Sequence, residues 1–501
     1  MAFVQNFPFF SILLCMFGGI VTSVLNKKAA KWATLLIAFA VFVLSALTWR
    51  YTLQTEGSYA FMMGHFPAPW GNEIRVGRLE AALATLFSLV MFLTLAAGVF
   101  NLDNHAEPQK QNLFFVMADL ALAALLVMLY TNDLFTAYVF IEINTIAACA
   151  LIMVRQNGHT LVSATRYMIM NLLASATTLL GISMLYGITG HLLMPQLQQS
   201  VAALHQSGQY QVPLTVVILL LTVGLGIKSA LFPFHVWAPD AYTNAPPVSA
   251  GILSGLVSKG YIFLLIKIYY RVIGIEVIRA QYVLNILFVF GILGMILGSV
   301  SAIRQQDVRR MIAYSSVAQI GYVFMGLSMG TQAGTVAAIF HMLVHSIAKP
   351  ALFISAAAMT DASGEHKSFH FLRGAAYREK AAGIAFTIAS MSMVGIPLTA
   401  GFISKVRLST AGMSQPGFAK YIILFALALS TLLNAVYFLQ TVVHIYRRPT
   451  LEEQLTAPCP LRPMRKINRL ALLSLSALTI ILGILTGPII QSIFVGLLSF
   501  S

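Results

Sequence analysis

Charged residues are scarce in this chain. They make up 9% of its 501 residues, and only 16 side chains are acidic. Hydrophobic residues make up 58%, and the mean hydropathy of +0.82 leaves too little polar surface to cover a water-soluble globule of this size. The composition therefore excludes an ordinary soluble domain and predicts a polytopic membrane protein.

Cysteine is also rare. Cys15, Cys149 and Cys459 lie far apart with no histidine at ligand spacing, so they indicate neither a metal site nor a disulfide framework. No glycine-rich phosphate loop follows a strand, and the longest polar stretches, 51–79 and 189–212, are only loop-sized. We therefore expect no cofactor, no metal and no nucleotide chemistry in this chain alone.

Long hydrophobic runs are what the chain has in abundance. Each is about 20 residues long, the length that crosses a hydrocarbon core of about 30 Å. Fourteen spans are predicted, at 8–25, 32–53, 82–100, 113–130, 134–153, 164–189, 213–234, 248–270, 282–303, 311–329, 333–359, 382–405, 421–446 and 470–497. The N-terminal MAFVQNFPFF lacks a basic leader and a cleavage site, so we expect the first helix to be retained. The predicted fold class is an all-α polytopic membrane protein.

The net charge of +15 is distributed by loop. Most lysines and arginines follow odd-numbered spans, for example Lys27, Lys28, Arg309 and Arg310. Such segregation is typical of membrane topology rather than of a nucleic-acid partner. It places the odd loops in the cytoplasm and both termini on the opposite side of a cell membrane.

Ionisable residues inside the spans are costly in lipid, so each of them is a candidate functional residue. They are Asp119, Glu142, Lys228, Lys259, His341, His345, Lys349 and Lys405. The two histidines and Lys349 fall at i, i+4 and i+8 of the eleventh span, so they share one face at steps of about 6 Å. That spacing suits water-bridged proton transfer better than direct transfer.

Several of these residues also have a structural interpretation. A lysine near a helix end commonly extends its ammonium to the membrane surface, which is what we expect of Lys267 and an alternative for Lys405. A purely structural ion pair is the alternative for Glu142. Asp119 lies about two turns from the cytoplasmic end of its span, so a hydrated helix entrance competes there with a functional role.

Two predicted spans contain built-in breaks. In GLGIKSALFPFHVWAPD, prolines interrupt the seventh span beside His235 and Asp240, and in VGIPLTAGFISK Pro397 precedes Lys405 in the twelfth. Broken helices at matching places in two halves indicate an inverted-repeat transporter. We predict N-terminal helices in 1–112, two inverted five-helix repeats in 113–270 and 271–446, and a cytoplasmic loop with the last helix in 447–501. Asp119, His235 and Asp240 are candidates for proton access or gating.

Four segments carry a family resemblance: LFPFHVWAPDAYTNAPPVSAGILSGLVSKGY, RRMIAYSSVAQIGY, HMLVHSIAKPALF and GIPLTAGFISK. They resemble the signature segments of the antiporter-like subunits of respiratory complex I, of Mrp cation/proton antiporters (D-type subunit) and of membrane-bound hydrogenases. The resemblance implies that Glu142, Lys228, Lys259, His345 and Lys405 match the family's charged residues. The lysine at 405 favours the Mrp D-type or hydrogenase branch over one complex I paralogue, whereas NEIRVGRLEAALA departs from the family pattern.

The expected function is therefore proton translocation within a multisubunit membrane complex, with exchange against Na⁺ left open. Glu142 and Lys228 would be the input pair, Lys259 with His341, His345 and Lys349 the relay, and Lys405 the exit group. The expected partners are other hydrophobic subunits, H⁺ and lipid, but no nucleic acid. A stand-alone solute transporter, a subunit of a redox-driven translocase and a membrane-embedded enzyme are the alternatives.

Overall fold

The computed structural model describes residues 3–55, 57–63, 66, 71–448 and 464–500; Cys459 lies outside them. The helices are α1 (Phe7–Val24), α2 (Lys27–Thr55), α3 (Arg78–Gly98), α4 (Gln111–Tyr130), α5 (Leu134–Met153), α6 (Gly158–Thr189), α7 (Met194–Ser207), α8 (Gln211–Lys228), α9 (Trp237–Asn244), α10 (Pro247–Ile273), α11 (Ile275–Arg279), α12 (Val283–Ile303), α13 (Val308–Ser328), α14 (Gln332–Asp361), α15 (Ala375–Arg378), α16 (Lys380–Val394), α17 (Ala400–Met413), α18 (Ala419–Tyr446), α19 (Lys466–Ile484) and α20 (Thr486–Leu498). Strands β1 (Tyr59–Met62) and β2 (Glu73–Val76) form one antiparallel hairpin.

Thirteen uninterrupted helical segments in the described part of the chain are long and apolar enough to cross a membrane. They correspond to the predicted spans other than the twelfth, which is built from the two shorter helices α16 and α17. The fourteenth predicted span, 470–497, is divided at Leu485 between α19, which is one of the thirteen, and the shorter α20. The prediction of an all-helical, multi-pass membrane protein is confirmed.

Both predicted breaks are present. α8 ends at Lys228, and the chain turns through Ala230 (φ 62°) before α9 begins at Trp237. α16 ends at Val394 and α17 begins at Ala400, with Gly395 at φ 89° between them, a conformation that glycine adopts without the steric cost a side chain would impose. In each break a lysine lies within a few residues of the interruption.

The two polar stretches expected to be loops contain regular structure. The first holds the β1–β2 hairpin, in which Tyr59 lies opposite Val76 and Met62 opposite Glu73. The second holds α7, which buries only Met194, Leu197 and Val201 and so lies with one apolar stripe against the bundle.

The helices that carry Lys259, His341, His345 and Lys349 lie at the centre of the bundle. In their most apolar stretches, all residues of α10 and α14 and nearly all residues of α13 are buried. In the corresponding stretches of α1, α2, α6, α12 and α18, fewer than half of the residues are buried. A helix buried on all sides has no lipid-facing stripe, so its polar side chains must find partners in neighbouring helices. The division into inverted repeats and four segments remains a prediction.

Loops on one side of the bundle touch one another. The Glu107 amide donates to the Val154 carbonyl at 3.0 Å, and Asp307 forms a β-bridge with Ser368. The Arg155 guanidinium lies 3.9 Å from a Glu365 carboxylate oxygen. Together these contacts join the loops 99–110, 154–157, 304–307 and 362–374. The loops after the third, fifth, ninth and eleventh predicted spans therefore lie on one side of the bundle, and the assignment of that side to the cytoplasm stays a prediction.

Candidate functional site

Lys228 is the last residue of α8, and its side chain is fully buried. Its ammonium lies 3.8 Å from a Glu142 carboxylate oxygen on α5. It also donates to the Thr145 hydroxyl at 2.8 Å and to the Asn171 carbonyl at 3.3 Å, and it lies 5.6 Å from the Tyr261 ring centre. The predicted pairing of Lys228 with Glu142 is thus present in the geometry.

The break after Lys228 is stabilised by the aromatic residue of the same segment. The Trp237 indole donates to the Ile227 carbonyl at 3.0 Å, and the Ala230 amide donates to the same carbonyl at 3.1 Å, so this carbonyl at the end of α8 has partners inside the break. Freed backbone groups at membrane depth require such a partner. The FPFHVW run therefore both interrupts the helix and caps it.

Lys259 lies on α10 directly after a π-helical turn, Leu253–Val257. Its ammonium donates to the Ser254 carbonyl and, at 3.1 Å, to the Ser258 hydroxyl. Single π turns inside α-helices occur frequently at functional sites, because they leave a backbone group available. No carboxylate in the described part of the chain forms an ion pair with Lys259.

The π turn packs against a second irregularity. Pro350 lies inside α14 and cannot donate to the carbonyl four residues earlier, that of Ser346. A Cβ on Gly255 would lie 2.7 Å from the Pro350 ring and 3.1 Å from the Ser346 carbonyl oxygen. Only glycine allows this approach, so two weakened helices meet at the depth of Lys259 and Lys349.

Adjacent hydroxyl groups of α13 lie beside Lys349 and beside Ser254, the partner of Lys259. Lys349 donates to the Ile312 carbonyl at 2.9 Å and to the Ser315 hydroxyl. The neighbouring Ser316 hydroxyl lies 3.0 Å from that of Ser254, whose carbonyl accepts from Lys259. The two lysines therefore share one seam of α10, α13 and α14.

The two histidines continue this seam along α14. His341 contacts the Ser404 hydroxyl at 2.9 Å through Nδ1 and the Gln319 side-chain oxygen at 3.0 Å through Nε2. Its ring stacks on Tyr322 at 5.1 Å. His345 is equally buried, and its Nε2 has no protein partner among the described residues.

Lys405 lies at the second broken helix. Its ammonium donates to the carbonyls of Met393 and Val394 at 3.0 and 2.8 Å, and it lies 5.2 Å from the Tyr322 ring centre. Ser404, which precedes it, is the partner of His341. Tyr322 thus contacts both His341 and Lys405, and Ser404 bonds to His341 beside Lys405 in the chain.

The three access or gating candidates lie outside this seam. Asp240 pairs with Arg166 at 2.5 Å and Arg310 at 3.4 Å. His235 stacks on Phe232 at 5.3 Å inside the break after α8. Asp119 is buried against α1 and α2, where the Thr34 hydroxyl donates to it at 3.3 Å. The assigned roles remain predictions.

The expectation that Lys267 reaches the membrane surface is wrong. Its side chain is fully buried and donates to the carbonyls of Leu129 and Thr131 at 2.8 and 2.6 Å. These groups belong to the end of α4, where the last carbonyls of a helix have no partner within it. Lys267 therefore caps a neighbouring helix, a role that depends on how α4 and α10 cross.

Sequence reasoning also missed the hydroxyl, amide and ring groups that hold the charged residues. They are Thr145, Ser254, Ser258, Tyr261, Ser315, Ser316, Gln319, Tyr322 and Ser404. Such residues are ordinary constituents of membrane helices and give no signal by themselves. The one sequence signal for any of them is the i, i+4 spacing of Ser254 and Ser258 just before Lys259, which puts the two serines on one helix face.

A known protein family matches the part of the chain that contains the buried lysines and histidines. The family described as NADH:quinone oxidoreductase/Mrp antiporter, TM, matches residues 131–435, well over half of the chain. The chain belongs to this family. All the candidate proton-transfer residues from Glu142 to Lys405 lie inside the matched range, and Asp119 lies before it.

Relatives of this family member include subunits of oxidoreductases and of cation antiporters. It is 32% identical over 496 residues to NADH-quinone oxidoreductase subunit N of Desulforudis audaxviator (strain MP104C), covering 98% of this chain and 96% of the relative. It is 28% identical over 442 residues to the D-type subunit of the Na(+)/H(+) antiporter of Alkalihalophilus pseudofirmus, covering 87% and 85%.

Solved structures share the fold of this family member. A chain of the Mrp complex from Dietzia sp. DQ12-45-1b matches with a TM-score of 0.85 at 21% identity, covering 99% of this chain and 97% of that one. A chain of respiratory complex I from Thermus thermophilus matches at 0.73 and 23%, covering 97% and 100%. The structural matches are subunits of multisubunit membrane complexes.

Proposed function

We propose that this chain is a proton-translocating subunit of a multisubunit complex in the cell membrane. The observation that supports this most is the series of buried ionisable groups from Glu142 and Lys228, through Lys259, to His341 and Lys405, in which each lysine and His341 contacts a hydroxyl or carbonyl group. A charge buried in lipid is costly, so the seven ionisable residues from Glu142 to Lys405 need a function that uses them.

Protons would move by alternate protonation of these groups, with the gaps bridged by water. Polar atoms without a protein partner lie along the path, including both ends of the Asn144 amide, His345 Nε2 and Gln319 Nε2. Buried polar groups of this kind are normally satisfied by ordered water. Glu142 and Lys228 act as the input pair, and Lys405 as the exit group.

In this proposal the input pair couples the subunit to its neighbours. When Lys228 leaves Glu142 and turns toward Lys259, its charge repels the proton held there and drives it toward His345 and Lys405. When it returns, the relay reloads. The partly exposed Glu142 carboxylate, 27% accessible against 0% for Lys228, lies where a neighbouring subunit can influence the pair.

The host complex is either a sodium/proton antiporter or a redox-driven dehydrogenase. The relatives named as D-type subunits of Na(+)/H(+) antiporters support exchange of protons against Na⁺. The relative named NADH-quinone oxidoreductase subunit N, at 32% identity, supports the second candidate. In either case we place the odd loops in the cytoplasm and both termini outside, because the lysines and arginines concentrate in the odd loops.

The deciding experiment replaces Lys259, the central group, by arginine. Arginine keeps the charge but does not release its proton in a protein, so ion-driven pH change in inverted vesicles should stop while assembly, checked by immunoblotting, persists. Alanine at the same position should be equally inactive. Normal transport by Lys259→Arg would overturn the proposed protonation role.

A second experiment tests the multisubunit assignment. We expect mild purification to bring down several hydrophobic partners, and the purified single chain in liposomes to show no proton-coupled transport. Robust transport by the single chain would instead favour a stand-alone solute transporter.

A further inference from the structure

Asp119 is a buried carboxyl that the proposed proton path does not use. It lies on α4, eight residues after the helix begins at Gln111, so about 12 Å along the axis from that end. Its side chain is 1% exposed. The Thr34 hydroxyl of α2 donates to its Oδ2 atom at 3.3 Å, and the Thr22 hydroxyl of α1 lies beside it.

No basic side chain among the described residues neutralises this carboxyl. Its neighbours are Thr22 and the Cys15 thiol on α1 and Thr34 on α2, and no lysine, arginine or histidine in the described part of the chain forms an ion pair with it. Other buried carboxylates differ: Glu80 pairs with Arg75 at 2.8 Å, and Glu379 with Arg469 at 2.8 Å.

A carboxylate buried without a counterion is strongly disfavoured. Asp119 must therefore be neutralised, either by a proton or by a cation that enters from solution. The other groups beside it are oxygen donors. Thr22 uses its own proton on the Gly19 carbonyl at 3.1 Å, which leaves its oxygen lone pairs free, and hydroxyl and carboxylate oxygens are the ligands that hard cations prefer.

The α1 backbone comes close at this point. A Cβ on Gly18 would lie 2.5 Å from the Ile37 side chain and 3.6 Å from Asp119 Oδ2. Glycine therefore lets α1 and α2 close around the carboxyl. Thr22 is two residues from the end of α1 at Val24. The Asn112 side chain at the start of α4 donates to the Leu25 carbonyl at 2.6 Å, so these two helix ends lie on the same side of the bundle, about two helical turns from Asp119.

We propose that Asp119, with Thr22 and Thr34, is an exchange site for a proton and a sodium ion. Sodium enters and binds the carboxylate and the two hydroxyl oxygens, with water completing its shell, and the carboxyl proton leaves to water. On release of sodium the carboxyl takes a proton back, so charge balances in each direction. The choice of sodium as the physiological ion rests on the proposed function. Binding at Asp119 itself does not, because it needs no proton transfer along the path through Lys259.

Carbodiimide labelling tests the site without transport. Dicyclohexylcarbodiimide modifies protonated carboxyls in apolar surroundings, and peptide mass spectrometry locates the adduct. We expect Asp119 to be labelled in the purified complex, and Na⁺ to slow labelling about tenfold at about ten times its dissociation constant, because only the free fraction reacts. Choline at equal ionic strength should give no protection.

Matched variants separate this site from the proton path. Asp119→Asn should abolish labelling at this position, whereas Thr34→Val and Thr22→Val should keep labelling and lose the protection by Na⁺. Glu142→Gln stops transport under the proposed function yet should leave the sodium-protected labelling of Asp119 unchanged. Labelling that is indifferent to Na⁺, or no labelling of Asp119 at all, would overturn the exchange site and leave the proposed proton path untouched.

Discussion

Lys228 and Lys405 each lie at a break in a membrane-spanning helix, and each ammonium lies over a tyrosine ring, at 5.6 Å from Tyr261 and 5.2 Å from Tyr322. Their polar partners differ. Lys228 has the Glu142 carboxylate at 3.8 Å. Lys405 has the last carbonyls of α16, the negative end of a helix dipole, and no carboxylate pairs with it in the described ranges.

This difference indicates two kinds of lysine site. A carboxylate can move, take up a proton or be influenced by a neighbouring subunit, so the Lys228 pair can open and close. Backbone carbonyls keep their position and cannot be protonated at working pH, so they hold Lys405 in one place. We therefore expect the first break to act as a switch and the second as a fixed transfer point.

The largest effect should come from breaking the Lys228 pair. Glu142→Gln and Lys228→Ala should each abolish ion-driven pH change in inverted vesicles, because removing one partner of a buried pair costs about 3–5 kcal/mol. Glu142→Asp should keep part of the activity. The double mutant should be no worse than either single mutant, since partners of one interaction are not additive. Mild single mutants whose effects multiply would contradict the pair.

A smaller effect, divided between the stability of the complex and its transport activity, is expected for substitutions of Lys405. Lys405→Met leaves the Met393 and Val394 carbonyls without this donor, at about 1–3 kcal/mol for each buried group, so both the melting temperature of the solubilised complex and its transport should fall. Lys405→Arg keeps donors but does not release its proton. It should keep the melting temperature and lose transport. An active arginine variant would show that position 405 only holds the helix break.

The tyrosine rings allow a finer comparison. Tyr322→Leu removes a cation–π contact of about 0.5–2 kcal/mol from a lysine that lacks a carboxylate, whereas Tyr261→Leu removes it from a paired one. We expect the larger loss of vesicle transport for Tyr322→Leu. The phenylalanine variants, which keep the rings, are the matched controls. Equal losses at the two positions would remove this distinction.

The smallest effect concerns Lys367, a half-buried lysine that lies outside the membrane in the loop after α14. Burial lowers its pKa from 10.5 to about 8, although Asp307 and Glu365 oppose the shift. Below the folded pKa the lysine is charged in both states and destabilises the fold, and above the unfolded pKa it is neutral in both. Stability should therefore rise between these values, because the unfolded chain binds more protons there.

Thermal unfolding of the solubilised protein at pH about 7 and about 10 measures that rise. Lys367→Met should reduce the rise and slightly increase stability at the lower pH. An unchanged pH dependence in this variant would assign the effect to other groups. Since the lysine lies outside the spans, the result measures how burial, together with the nearby charges of Arg309, Arg155, Asp307 and Glu365, affects the pKa of a lysine of this chain.

The amino-acid sequence by itself determined the spans, the two breaks and the charged residues inside them. Lipid provides no hydrogen bonds, so a spanning segment must be an apolar helix of a given length, and residues such as Lys259 or Pro397 stand out against that background. The family segments placed the same residues in one functional set.

Only the tertiary structure decided what those residues touch. Thr145 and Lys228 are 83 positions apart, and whether a hydroxyl meets an ammonium depends on how their helices cross. Lys267 shows the consequence, because a lysine near the end of a span was expected at the membrane surface and instead caps α4. Serine, threonine and backbone carbonyls occur throughout membrane helices. Their selection as partners is therefore a property of packing geometry, which the pattern of hydrophobic and charged residues does not encode locally.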